Sequence, residues 1–199
     1  EWLIARPFMG FKVKNKQHYK AVKREGVVMT SNHIHPFDTF LIGTSTMSNK
    51  LYVLMRESNL GVPIFGKIMR WAGGVPIPTR PELFVRLLKE IPAQIQKRRN
   101  LLMMPETALI PYHVGIRPFS SGAFRIAINA KSKILPIVYI YKKPRGLRKL
   151  FRKKPCFELH FLPAITVEKK GTNHETIEHY KDYTRNLMID YYNEHSEIK

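Results

Sequence analysis

Cysteine is almost missing from this chain: Cys156 stands alone among 199 residues. No internal disulfide and no thiolate metal cluster can form from it, which fits a reducing compartment. Long apolar runs are missing too. None approaches the roughly 20 residues of a membrane-spanning helix, and the longest, Lys133 to Tyr141, reads as a buried strand. No internal repeat, low-complexity linker, signal peptide or zinc-ligand spacing is visible, so no metal and no cofactor is expected. Acidic side chains are scarce over most of the length. Residues 1–154 hold 29 basic and 7 acidic side chains, residues 155–199 hold 5 and 8.

What is present suits a folded domain. The hydrophobic share is 44% and the charged share 25%, ordinary for a globular core. The net charge of +19 is not ordinary, and it points to an anionic partner: phospholipid, nucleic acid or a phosphorylated substrate. The opening Glu1–Phe8 admits two readings, the end of a membrane-proximal segment or a surface lead-in. Residues 1–25 are therefore set apart within a single domain spanning 1–199.

Strand and helix patterns alternate. Gly26–Thr30, Leu51–Leu54, Val75–Pro78, Leu101–Met104, Ile134–Tyr141 and Phe157–Leu162 read as extended. Pro36 to about Met47, Val62–Ala72 (ended by Gly73-Gly74), a helix after Thr79 and Glu82, and Gly122–Ala130 read as helical. Thr79 and Glu82 have capping-box spacing, Pro81 suits a first turn, and Pro92 argues for a kink. Thr172 and Glu175 cap a last helix whose inner stripe is Ile177, Tyr180, Thr184, Leu187, Met188 and Tyr191. This alternation predicts an α/β fold with a mainly parallel or mixed central sheet flanked by helices.

The segment Ser31-Asn32-His33-Ile34-His35-Pro36-Phe37-Asp38 lies where a strand passes into a helix, the end of a parallel strand that favours active sites. A tight turn there brings the Asp38 carboxylate back onto the His33 imidazole. A neutral histidine so held can take a proton from an alcohol while the carboxylate fixes its tautomer. On spacing alone a second reading stands beside it: Asp38 stabilises the helix start and His33 is a packed loop residue. His35 competes for the role, but its place beside Pro36 suits the start of the helix.

Asn32-His33-x4-Asp38 resembles the first signature of the glycerolipid acyltransferase family, which includes the lysophosphatidic acid acyltransferases. Gly74-Val75-Pro76-Ile77-Pro78-Thr79-Arg80 resembles the second block, Met104-Pro105-Glu106-Thr107 the third and Leu135-Pro136-Ile137-Val138 the fourth. Pro118–Arg125 is similar to the family's linking stretch. The ordered set covers residues 26–140. It implies that His33 and Asp38 are catalytic and that Arg80, Glu106, Thr107 and Arg117 border the acceptor. One departure stands out: the family's glycine and arginine after the Pro-Glu pair are replaced by Thr107, Ala108 and Leu109. Arg117 is the nearby residue able to replace that charge, and an ordinary surface arginine is its alternative.

Lys142–Lys154 holds eight basic residues interleaved with Leu147, Leu150 and Phe151, a pattern suited to anionic lipid headgroups and to the phosphates of acyl-CoA or an acidic acyl carrier protein. Lys12–Arg24 is a second basic stretch, read as a solvated face. The resemblance implies transfer of an acyl chain from acyl-CoA or acyl carrier protein to the hydroxyl of a lysophospholipid. 1-Acyl-glycerol-3-phosphate is the first choice, with glycerol 3-phosphate or another lyso-lipid as alternatives. It implies membrane association at a cytoplasmic face, with an anionic membrane surface as partner. The remaining alternatives are a non-catalytic lipid-binding relative and a nucleic-acid-binding module, the latter disfavoured by the lack of any recognised nucleic-acid motif.

Overall fold

Val53 and Met55 point to one face of a strand, Tyr52 and Leu54 to the other, and helices cover both faces. That strand belongs to a sheet seen in a computed structural model that describes residues 10–46, 50–151 and 153–198. The strands are β1 (Lys12–Lys14), β2 (Val28–Ser31), β3 (Leu51–Arg56), β4 (Gly74–Ile77), β5 (Asn100–Met103), β6 (Ile134–Lys142) and β7 (Cys156–Phe161). The helices are α1 (Lys16–Val22), α2 (Asp38–Ser45), α3 (Glu57–Leu60), α4 (Phe65–Trp71), α5 (Pro81–Gln96), α6 (Gly122–Ala130), α7 (Arg148–Phe151) and α8 (Asn173–His195).

The seven strands follow the order β1-β7-β6-β2-β5-β3-β4. β6, β2, β5, β3 and β4 are mutually parallel, β7 runs antiparallel to β6, and β1 is parallel to β7. The sheet is thus mixed, with a parallel majority. β2 is its pivot. The chain leaves β2 toward β3 and β4, returns through β5 on one flank of β2, and crosses to β6 on the other. Such a reversal opens a crevice at the C-terminal ends of the strands. β6 is buried on both faces through Tyr141, as its unbroken apolar run requires.

Most elements lie where the residue pattern places them, and Gly122–Ala130 matches at both ends. Four details differ. The helix after β2 begins at Asp38 rather than Pro36, because Phe37 takes the cap position with φ −95°; Met47 lies outside the described residues. Thr79 does not cap α5. Pro81 forces its predecessor into an extended conformation, so Arg80, at φ −77° and ψ 125°, becomes the cap and Thr79 falls one residue outside. On α8 Tyr192 rather than Tyr191 is fully buried, and the expected capping box of Thr172 and Glu175 is present. β1 and α1 occupy the stretch read as a plain solvated face; three residues alternating Lys-Val-Lys carry too weak a period to announce an edge strand. Residues 1–9 lie outside the described residues. Cys156 is buried. Among the described residues no helix is long and apolar enough to cross a membrane.

Gly73 shows how tightly the β3–β4 pair closes. Its φ is +98°, and a Cβ there would stand 2.1 Å from the Leu51 carbonyl oxygen, while its own carbonyl accepts from Val53 N–H at 3.0 Å. Gly73→Ala is expected to lower stability by about 1–3 kcal/mol, measured by denaturant unfolding.

Candidate active site

β2 ends at Ser31, and the chain then turns sharply into α2. The turn is built on one carboxylate. Asp38 Oδ2 accepts from Ile34 N–H at 2.7 Å, from His35 N–H at 2.8 Å and from His33 Nδ1 at 3.0 Å. The two backbone donors fix the loop around the carboxylate. The third orients the imidazole. Asp38 is fully buried, and its Oδ1 finds no partner among the described residues. Its position as the first residue of α2 sets the charge at the helix's positive end. The Asp38 carbonyl accepts from the Tyr139 hydroxyl at 2.8 Å. Burial, and then the Asp38 charge, push the Tyr139 phenol well above its ordinary value, so it stays protonated and donating.

With Nδ1–H given to Asp38, the proton-accepting lone pair of a neutral His33 resides on Nε2. Nε2 has no partner among the described residues, and the side chain is 20% exposed. The imidazole therefore presents a base to the solvent side while its other nitrogen is locked. His35 is used differently. Its Nδ1 accepts from Phe37 N–H at 3.2 Å, and its ring packs against Phe157 at 5.3 Å and Phe37 at 5.6 Å.

The backbone of the dyad is gripped from neighbouring strands. Asn32, at the end of β2, bonds Tyr139 of β6 twice: its Nδ2 donates to the carbonyl at 3.0 Å and its Oδ1 accepts from the N–H at 2.8 Å. On the β5 side, Glu106 follows the strand end by three residues and accepts from His33 N–H at 3.1 Å. The same carboxylate takes Arg117 N–H at 2.9 Å, Arg117 Nε at 3.1 Å and Arg117 Nη2 at 2.9 Å. The Glu106 side chain is fully buried and that of Arg117 only 13% exposed, so the two neutralise each other inside the protein. Arg117 Nη2 also donates to the Ala108 carbonyl. Arg185 of α8 closes this loop, its Nε donating to the Arg117 carbonyl at 3.0 Å.

Of the residues singled out in the sequence, the structure brings His33, Asp38, Glu106 and Arg117 into one hydrogen-bonded cluster. Thr107 follows Glu106 directly. Arg80 stands at the same end of the sheet, because β4 is parallel to β2, but three strand spacings away, about 14 Å. It is exposed, and its side chain makes no hydrogen bond to any described residue. Tyr139 and Arg185 went unnoticed in the sequence. A tyrosine in a buried strand and an arginine on the polar side of a helix carry no local signal of a distant partner.

Thr107 has φ +64°, a conformation that costs a β-branched residue strain and costs glycine none. This is the position at which the resembling family carries glycine. Thr107→Gly is expected to raise stability by about 1–2 kcal/mol, seen as a higher denaturant midpoint with an unchanged slope.

Comparison with known proteins bears on the fold and the family. The crystal structure of the 1-acyl-sn-glycerophosphate (LPA) acyltransferase PlsC from Thermotoga maritima has the same fold, with a TM-score of 0.66 over 92% of this chain and 71% of that chain, at 16% sequence identity. No curated protein matches the chain in sequence. A family model described as Acyltransferase matches residues 10–140. That span takes in β2 with the His33 turn, the Glu106 loop and Arg117, and most of β6, and so the chain belongs to the acyltransferase family.

Proposed function

We propose that this enzyme transfers an acyl chain from a thioester, acyl-CoA or acyl carrier protein, to the hydroxyl of a lysophospholipid, with 1-acyl-glycerol-3-phosphate as the preferred acceptor. The observation that carries the proposal is the 3.0 Å bond between Asp38 and His33 Nδ1, which leaves Nε2 as the available base. His33 Nε2 takes the acceptor's hydroxyl proton as the oxygen attacks the thioester carbonyl. The imidazolium, stabilised by Asp38, returns that proton to the departing sulfur as the tetrahedral intermediate collapses. The ester oxygen–carbon bond forms and the carbon–sulfur bond breaks, with no acyl-enzyme and no part for Cys156.

The other residues take supporting roles in this reading. Arg80 meets the acceptor's phosphate: a guanidinium at the start of a helix matches a phosphate in charge and geometry. Glu106 and Arg117 border the acceptor's place and act on the reaction by holding His33 and the loop through Thr107. An apolar cavity of about 290 Å³ opens beside α2, lined by Thr39, Phe40, Gly43, Val53, Met55 and Met69. It begins one residue past Asp38 and suits part of an acyl chain. Peripheral association with the cytoplasmic face of a membrane would bring this site to its acceptor. The reading is supported by the family match and by the fold shared with PlsC, an LPA acyltransferase.

His33→Ala is expected to reduce acyl transfer by about 10²–10⁴-fold with an unchanged circular dichroism spectrum. Near-normal turnover by that variant would remove the mechanism. Arg80→Ala is expected to raise the KM for a phosphate-bearing acceptor while leaving kcat close to the parent value. Mass-spectrometric products from a panel of lyso-lipids offered with both donor types would identify the acceptor. No thioester consumption with any lyso-lipid would speak for a binding protein instead.

A further inference from the structure

Fourteen large apolar side chains are exposed among the described residues. All but Ile68, Trp71 and Tyr183 belong to segments that leave the C-terminal ends of the five parallel strands. Phe37 follows β2, Ile64 follows β3, Phe84 follows β4, Ile110 follows β5, and Leu147, Leu150 and Phe151 follow β6. Single exposed apolar residues scattered over a surface need no explanation. Their gathering at one end of one sheet, the end where His33 stands, does. At the opposite end Lys133 and Glu25 meet in an ion pair at 2.8 Å, and Trp71, just before β4, is the exposed apolar side chain there.

The β6–β7 connection projects furthest. β2 pairs with β6 only as far as Ser31 with Ile137, yet β6 continues five residues to Lys142, which pairs with Cys156 of β7. At about 3.3 Å per residue the connection starts roughly 16 Å beyond the end of β2. Its base is fixed. Arg145 bonds Glu197 at 2.8 Å, and Lys154 lies over the Tyr112 ring at 4.8 Å. Its tip is not covered: Leu147, Leu150 and Phe151 are 78%, 74% and 86% exposed. Lys143, Arg145, Lys149 and Lys153 stand exposed around them, and no acidic residue occurs from 142 to 154.

We infer that the β6–β7 connection is an insertion tip that seats the His33 end of the sheet on an anionic phospholipid bilayer. The apolar residues enter the boundary of the acyl region while the cations remain among the phosphates. Charge selects the occupant. The exposed Lys143, Lys149 and Lys153, with no acidic residue in the connection, repel a second copy of the same surface and match a sheet of phosphate. The inference deepens the acyl-transfer reading, which makes the bilayer the reservoir of the acceptor. The seating faces Nε2 of His33 toward that reservoir.

The test uses the full chain with two vesicle types, phosphatidylcholine alone and phosphatidylcholine mixed with phosphatidylglycerol. Co-sedimentation reports binding, gel filtration reports self-association, and turnover is followed on a short-chain acceptor that stays monomeric. Leu150→Ser combined with Phe151→Ser is expected to weaken binding to the mixed vesicles about tenfold or more. Lys149→Glu combined with Lys153→Glu is expected to weaken it comparably, with the difference shrinking at high salt. Tyr183→Ser, on α8, is expected to bind like the parent. None of these should alter turnover on the monomeric acceptor. Tip variants that bind mixed vesicles as tightly as the parent would overturn the inference. So would a parent that binds neutral vesicles equally well, or tip variants that lose self-association instead of vesicle binding. A parent with no turnover on any acceptor would remove the acyl-transfer reading, and the vesicle result would stand apart from it.

Discussion

A single carboxylate oxygen organises this molecule's reactive end. Asp38 Oδ2 holds three donors at once, two from backbone and one from an imidazole. Ionised acceptors of this kind make short, strong bonds, and here they replace the hydration that full burial takes away. The arrangement serves folding and chemistry together. The backbone donors belong to the loop between β2 and α2, so the same interaction that closes the turn aims His33. Removing the charge would loosen the loop as well as the histidine.

His33 is therefore restrained at two levels. Asp38 fixes the side chain, and Glu106 fixes the backbone N–H. Glu106 can do this only because Arg117 meets its charge. A buried pair of this sort adds little net stability, but the loss of one partner strands the other and costs about 3–5 kcal/mol. Arg185 then ties the Arg117 backbone to α8, so the last helix steadies a loop whose active part lies some seventy residues earlier. Asn32 completes the frame by clamping the end of β2 to β6.

The sheet explains why these parts meet. Five parallel strands place five connections at one end, and the reversal at β2 separates the β5 and β6 connections enough to leave a crevice. His33 comes from the first of these connections, Arg80 from the third and Glu106 from the fourth. The last, after β6, carries the basic and apolar tip. Chemistry and the proposed surface contact fall on the same end because both depend on loops that follow parallel strands, while the other end is left to short turns.

The sequence alone determined what local patterns can carry. Alternating apolar runs announced the α/β layers, Thr172 and Glu175 announced the cap of α8, and the five-residue spacing of His33 and Asp38 announced a turn able to join them. It determined less where a neighbour decides: Thr79 lost its cap to Arg80 because Pro81 dictates the backbone before it, and a three-residue edge strand was too short to show a period. Only the tertiary structure decided that Glu106 and Arg117 spend their charges on each other and on His33, that Tyr139 and Arg185 support the site, and that most of the exposed apolar residues share one end. Those partners lie far apart along the chain and have no common spacing. Their meeting depends on strand order, which local residue preferences do not encode.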